Sequence, residues 1–376
     1  MMYFKSLIER FYVLDQLSIP MKTSLLFYGL IAFLFISAAS CKKTGTVQTA
    51  TSLKAAALFP YGAAIDPTLL RDNLTYRRLL MSEFASITVE NMLKMNNVHP
   101  ELDRFDYRRA DEIVLFAQQA KLRVHGHTLV WHEAIPAWLK SFSGDSLAWE
   151  ALFKTHIQTV AARYKGQLAG WDVVNEAIGN DGNTRNDNTD QGSIWRQKLG
   201  PDYVARAFQY AKQADPAVLL FYNDYGQESN PKKQAAILKM VAELRQRNIP
   251  IDGLGLQMHI NINTPDAGIR SVMEQYAQTG LLVHLSELDI ALNPTNGPLA
   301  KPTEAQLAAQ KQKYWMVVNT YRTVVPKAQQ YGITQWNVSD ADSWVRTYLK
   351  KNDFPLPFDL DYQRKPAYDG IMEALK

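Results

Sequence analysis

Gly170-Trp171-Asp172-Val173-Val174-Asn175-Glu176 and Leu281-Leu282-Val283-His284-Leu285-Ser286-Glu287-Leu288-Asp289 are two apolar runs, far apart in the chain and alike in layout, each ending on acidic residues. Short apolar runs of this kind read as strands buried on both faces. Working outward, similar runs recur at 59–65, 86–91, 123–131, 219–225, 253–260 and 333–340, so that the two quoted runs, at 170–177 and 282–290, are the fourth and seventh of eight. Between them lie stretches with an apolar period near 3.6. In one, Asn230-Pro231 precede Ile237, Leu238, Val241 and Leu244. Asn230 is a natural N-cap there, and Pro231 suits the first helical position. Another starts at Thr303-Glu304 and runs through Leu307, Tyr314, Val317, Val318 and Tyr321. Strand–helix alternation predicts a parallel sheet, and eight units in about 320 residues predict one α/β fold, a (β/α)8 TIM barrel. A doubly wound open sheet would require a glycine-rich phosphate loop after an early strand, but the first run leads into Asp66-Pro67-Thr68.

The polar residues of interest fall at the ends of these runs, not at their starts. Glu90 and Asn91 close the second, and His127, Trp131 and His132 the third. Asn175 and Glu176 close the fourth, Gln257 and His259 the sixth, Glu287 and Asp289 the seventh, and Trp336 the eighth. In a barrel, all carboxyl-terminal strand ends share one rim, where active sites form.

Bulk composition bounds the rest. The chain has 376 residues, 47% of them hydrophobic, and a formal net charge of +4, which speaks against a nucleic-acid partner. Its single cysteine, Cys41, rules out an internal disulfide framework. Upstream of Cys41, Lys22 precedes an apolar run at 25–39, and Ala38-Ala39-Ser40 lead into the cysteine. That charged, apolar, small-residue order is that of a secretory signal. It resembles a bacterial lipoprotein signal, which implies lipidation of Cys41, export, and a membrane anchor at the periplasmic or cell surface. Residues 1–20 precede Met21, the better start for such a signal, so 1–41 is expected to be an over-extended start plus signal. Residues 42–55 read as a flexible tether and 56–376 as the catalytic barrel.

A carboxylate at the mouth of an apolar strand is costly to bury unless it is paired or used. Neither Glu176 nor Glu287 has an arginine or lysine within two residues. Two carboxylates from different strands of one barrel are the minimum equipment for cleaving a glycosidic bond: about 5–5.5 Å apart for a retaining mechanism, roughly 6.5–9.5 Å for an inverting one. Glu287 and Asp289 point the same way in a strand, and a histidine from the neighbouring sixth strand, His259, can bridge them. His125 and His127 share a strand face, a spacing that also allows zinc, but a carboxylate partner in the segment is lacking apart from Glu133, and no metal is expected. Trp336, Trp344, Trp131 and Tyr225 are candidate stacking platforms for sugar faces, with Tyr222 equally readable as core.

Together these residues resemble glycoside hydrolase family 10, the endo-β-1,4-xylanases. The resemblance rests on Ile87-Thr88-Val89-Glu90-Asn91 with Lys94, Gly126-His127-Thr128-Leu129-Val130-Trp131-His132, Trp171 through Ala177, Asn223-Asp224-Tyr225, Gln257-Met258-His259, Glu287-Leu288-Asp289-Ile290, and Trp336 through Ser343-Trp344. It implies Glu176 as acid/base and Glu287 as nucleophile. Asn175 would bond the sugar 2-hydroxyl, and Glu90, Asn91 and Lys94 would hold the next sugar toward the non-reducing end. His127, Trp131, Gln257, Trp336 and Trp344 would line the cleavage subsite, Tyr225 would stand on the leaving-group side, and His259 with Asp289 would form the relay. It further implies xylan and xylo-oligosaccharides as substrates of a monomer without a cofactor. Three departures stand out, one of them Asn337 after Trp336, where glycine is common. Glu133-Ala134 replaces Ser-Gln, whose glutamine helps crowd out a hydroxymethyl group, which opens a β-glucan alternative. Gln191-Gly192-Ser193 stands where an arginine often precedes the serine.

Overall fold

The structure is a computed structural model; it describes residues 51–186, 191–297, 299 and 301–376. Cys41, the signal and most of the tether lie outside the described residues. Nine described strands form one sheet: β1 (Tyr61–Ile65), β2 (Ser86–Val89), β3 (Arg123–Val130), β4 (Gly170–Asn175), β5 (Leu219–Asp224), β6 (Gly253–Leu256), β7 (His259–Asn261), β8 (Leu282–Ala291) and β9 (Gln330–Gln335). All of these pairings are parallel. β6 pairs with β8 and β1 with β9, which closes an eight-stranded barrel, while β7 continues the sixth run along the outer half of β8.

Parallel closure needs a crossover after each strand, and the helices supply it. Pro231–Gln246 starts as its sequence dictates: Asn230 Oδ1 accepts from Lys233 N at 3.1 Å and Pro231 occupies the first turn. Glu304–Val324 begins with a capping box between Thr303 and Gln306. It packs against the C-terminal helix Pro366–Leu375, where Gly370 permits the approach, because a Cβ there would meet Lys311 O at 2.3 Å. On the outer face of the barrel Gly126 leaves room for Trp171, whose ring a Cβ would meet at 2.3 Å.

Three boundaries differ from expectation. A helical turn, Leu53–Ala56, occupies the end of the expected tether, because Leu53 is fully buried and its N–H donates to Glu83 Oε2 at 3.0 Å. The sixth run breaks at Gln257-Met258, where Met258 takes φ +60°. The eighth strand is Gln330–Gln335, not 333–340: Asn337 has φ +80°, and Asp342 accepts from Val338 N at 2.9 Å and Ser339 N at 2.8 Å, folding that stretch into a turn.

Candidate active site

Because every strand runs the same way, the barrel's carboxyl-terminal rim collects Glu90, Trp131, Glu176, Tyr225, Gln257 and Trp336, each just beyond its strand. The ladders are irregular where the site is built. Register shifts between His127 and Val130 in β3, between Asp172 and Val174 in β4, and between Leu285 and Leu288 in β8. Such bulges re-aim side chains at a rim. The result is a cleft of about 660 Å³ lined by both glutamates, by Asn175, Gln257, His127 and His259, by Glu90, Asn91 and Lys94, and by Trp131, Tyr225, Trp336 and Trp344. Thus every substrate-contacting residue expected from sequence lines one wall or another of a single cavity.

The two glutamates have contrasting surroundings. Glu287 is 5% exposed; its Oε1 accepts from Asn223 Nδ2 at 2.6 Å and its Oε2 lies 3.2 Å from His259 Nε2. His259 Nδ1 sits 2.8 Å from Asp289 Oδ2, which also accepts from Trp344 Nε1 at 2.7 Å. Burial alone would lower the His259 value, but Asp289 and Glu287 overcome it and push it up to about 10, so the ring is a cation between two carboxylates. Burial likewise works to raise the Glu287 carboxyl, and the bond from His259 with the positive charge nearby holds it below the ordinary range.

Among the described residues Glu176, 8% exposed, accepts only from neutral donors: Trp131 Nε1 at 2.9 Å on Oε2, and Gln257 Nε2 at 2.8 Å and Asn175 Nδ2 at 3.2 Å on Oε1. The two carboxylates are linked through carboxamides, since Asn223 Nδ2 also donates to Asn175 Oδ1 at 3.0 Å. Asn223 is aimed in turn by Ser286 Oγ, which donates to its Oδ1 at 2.6 Å.

Below this layer Asp172 stands between two imidazoles, His127 Nδ1 at 2.9 Å and His125 Nε2 at 3.0 Å, the latter poorly aligned for a hydrogen bond. Burial alone would raise its carboxyl, but the two rings hold it well below the usual carboxylate range. His125 and His127, which sequence spacing also allowed as a zinc pair, thus share a carboxylate inside the barrel. On the other flank Lys94 donates to Asn91 Oδ1 at 2.8 Å and lies 5.0 Å and 5.8 Å from the Trp131 and Trp336 ring centres. Burial pushes the Glu90 carboxyl up and the Lys94 ammonium down, each opposed by the other's charge.

The sequence motifs include Asn223 and Asp172 without giving either a task, and Arg185 lies outside them. The i, i+2 spacing of Asn223 and Tyr225 was the available signal, the same one that joined Glu287 to Asp289. Tyr222 is core: fully buried, its hydroxyl donates to Asp224 Oδ2 at 2.5 Å. Trp336 is only 5% exposed and packs edge-on to His127 at 5.2 Å, so its contribution to the cleft is a small patch of ring.

Comparison with known proteins follows this geometry. The sequence pattern of Glycosyl hydrolase family 10 matches residues 50–374. The chain is 38% identical over 345 residues to endo-beta-1,4-xylanase Xyn10C of Cellvibrio japonicus, covering 84% of this chain and 56% of that protein. It is 35% identical over 324 residues to an endo-1,4-beta-xylanase of Geobacillus stearothermophilus, covering 82% of this chain and 94% of that one. The chain therefore spans about half the length of some curated relatives and nearly all of others. In three dimensions it superposes on native xylanase 10B from Thermotoga maritima with a TM-score of 0.79 at 33% identity, over 86% of this chain and 98% of that one. With the matched pattern spanning the whole barrel and these identities beside it, the chain belongs to glycosyl hydrolase family 10.

Proposed function

We propose that the protein is an endo-acting, retaining β-1,4-xylanase that hydrolyses xylan and xylo-oligosaccharides. The observation that carries this reading is the pairing of Glu176 and Glu287 across one cleft, Glu287 bonded to an imidazolium and Glu176 to neutral donors. Glu287, kept ionised by the His259 cation, attacks the anomeric carbon and forms a glycosyl-enzyme. Glu176, surrounded by neutral donors, gives a proton to the departing glycosidic oxygen, then takes one from the water that hydrolyses the intermediate. Asn175 faces the sugar 2-hydroxyl, Glu90, Asn91 and Lys94 hold the sugar on the non-reducing side, and Tyr225 faces the leaving group. The two relatives compared above are endo-xylanases by name, which supports the choice of substrate.

Kinetics on xylohexaose test this reading. Glu287→Gln is expected to abolish turnover, and early-time NMR of the wild-type reaction to show the β-anomer first. Near-wild-type activity of the variant removes Glu287 as nucleophile, and an α-anomer at early times removes the retaining mechanism. The reading extends to a monomer, exported and anchored through a lipid on Cys41. Its support is the sequence order before that cysteine. Recovery of a Cys41→Ser chain in the same membrane fraction as the wild type would refute the anchor, and a larger species on gel filtration would refute the monomer.

A further inference from the structure

Arg185 has no task in the mechanism above. A short hairpin returns the chain to the end of β4: Gly179 N donates to Asn183 O at 2.7 Å, Arg185 N donates to Ala177 O at 2.9 Å, and Ile178 and Thr184 form an antiparallel bridge. The Arg185 side chain is buried, 7% exposed. A buried guanidinium has five donors to satisfy, and these go to specific places. Nε donates to Glu176 O at 2.8 Å, Nη2 to Tyr225 Oη at 2.9 Å, and Nη1 to Gln191 O and Oε1, each at 3.0 Å.

Two of those acceptors belong to the site. Glu176 takes φ +58°, a left-handed conformation that costs a residue with a Cβ roughly 1–2 kcal/mol and persists only where the surroundings over-determine it. The Glu176 N–H donates to Asn223 O at 2.9 Å. Its preceding peptide group is therefore held by Asn223 and its following one by Arg185. The second acceptor, Tyr225, lines the cleft and carries Lys233 Nζ 3.5 Å from its ring centre. One rigid planar group thus ties the main chain of Glu176 to the tyrosine wall. Lysine, a single point donor on a flexible stem, cannot make that fork.

We propose that Arg185 is a positioning residue for proton delivery. It fixes the Glu176 carboxyl relative to the Tyr225 wall against which the departing sugar lies, so that the acid is aimed at the glycosidic oxygen. This rests on the reading of Glu176 as the acid/base. The step it serves is balanced: the carbon–oxygen bond to the leaving sugar breaks with its electron pair on oxygen, and that oxygen takes the proton of Glu176.

The test compares kcat/KM of the full chain and its Arg185→Ala, Arg185→Lys and Glu176→Ala variants on two substrates. Xylohexaose expels a sugar alkoxide, which needs the proton; 2,4-dinitrophenyl xylobioside expels a phenolate, which does not. Arg185→Ala is expected to lose about thirtyfold on xylohexaose, a share of the ~10²–10⁴ that positioned proton transfer supplies, and less than about threefold on the aryl substrate. Glu176→Ala should show the same split, only larger, and Arg185→Lys a smaller one. Equal losses of the Arg185 variants on both substrates, or no loss on either, overturn the proposal. Should Arg185→Ala not fold, Arg185→Lys carries the same comparison. A Glu176→Ala variant without the split, or a wild type inactive on both substrates, sinks the acid/base reading itself.

Discussion

Asp289→Asn probes how Glu287, the proposed nucleophile, is kept charged. The substitution keeps the shape of the side chain and removes the anion 2.8 Å from His259 Nδ1. The rise of His259 from an ordinary 6.5 to about 10 corresponds to about 5 kcal/mol net in favour of the protonated ring, after Asp289 and Glu287 together have outweighed burial. With Asp289 neutral, Glu287, 3.2 Å from Nε2, is the carboxylate left bonded to the ring, and His259 titrates at a lower pH. A hydrogen bond to a charged group contributes about 1.5–3 kcal/mol, so kcat/KM on xylohexaose should fall about 10- to 150-fold at pH 6. The fall should deepen toward pH 8, as the ring loses its proton and Glu287 its charged partner.

Stability gives a second readout, and its sign is fixed. A folded value above the unfolded one makes the His259 contribution complete below pH 6.5 and lost as pH rises through about 10. The melting-temperature gap between wild type and Asp289→Asn should therefore be widest near pH 6 and shrink toward pH 10. A variant with the wild-type pH–rate profile and the same gap at both pH values would refute the argument that Asp289 acts through the charge of His259.

Two further outcomes follow from other parts of the site. Lys233 Nζ lies 2.8 Å from Asp224 Oδ1, both fully buried; burial raises Asp224 to about 6 against the pull of Lys233. Lys233→Met should cost about 3–5 kcal/mol in urea unfolding at pH 7 and less at pH 5, because a raised carboxyl destabilises as pH climbs from its unfolded value to its folded one, and loss of the ammonium moves that folded value higher; an equal loss at both pH values would contradict this. Ala134, at φ +51°, lines the cleft at the position where the resemblance expects a glutamine. Ala134→Gln should raise the ratio of xylan to carboxymethylcellulose activity, and an unchanged ratio would show that discrimination lies elsewhere.

How much of this was legible follows from the range of the interactions. The barrel was readable because strand burial and helix periodicity are local signals, and the site because parallel strands deliver their ends to one rim. The His259 bridge was readable because Glu287 and Asp289 share parity in one strand. The eighth strand was misplaced because Val338 continues an apolar run, while the turn is set by Asp342, four residues on. Arg185 was invisible for a different reason. It lies in a polar stretch without periodicity, and its acceptors, Glu176 O and Tyr225 Oη, meet it only after β4 and β5 have paired.

The contrast between the two glutamates was also beyond sequence, and it bears most on mechanism. Both follow apolar strands and both are buried, so periodicity treats them alike. What separates them is donor charge. Glu287 faces an imidazolium, whose charge stabilises the anion and opposes its protonation. Glu176 faces an indole N–H and two carboxamide N–H groups. A carboxamide can turn to present its oxygen, so it serves a carboxylic acid as well as a carboxylate. A residue that must hold a proton in one half of the cycle and lack it in the other needs neutral, reversible partners of that kind, whereas a nucleophile needs a fixed cation. Exchanging the two environments, with His259→Gln beside Glu287 and Gln257→His beside Glu176, should therefore impair both half-reactions while leaving the two carboxylates in place; a double variant that retained wild-type kcat/KM on xylohexaose would show that donor charge does not set the division of labour.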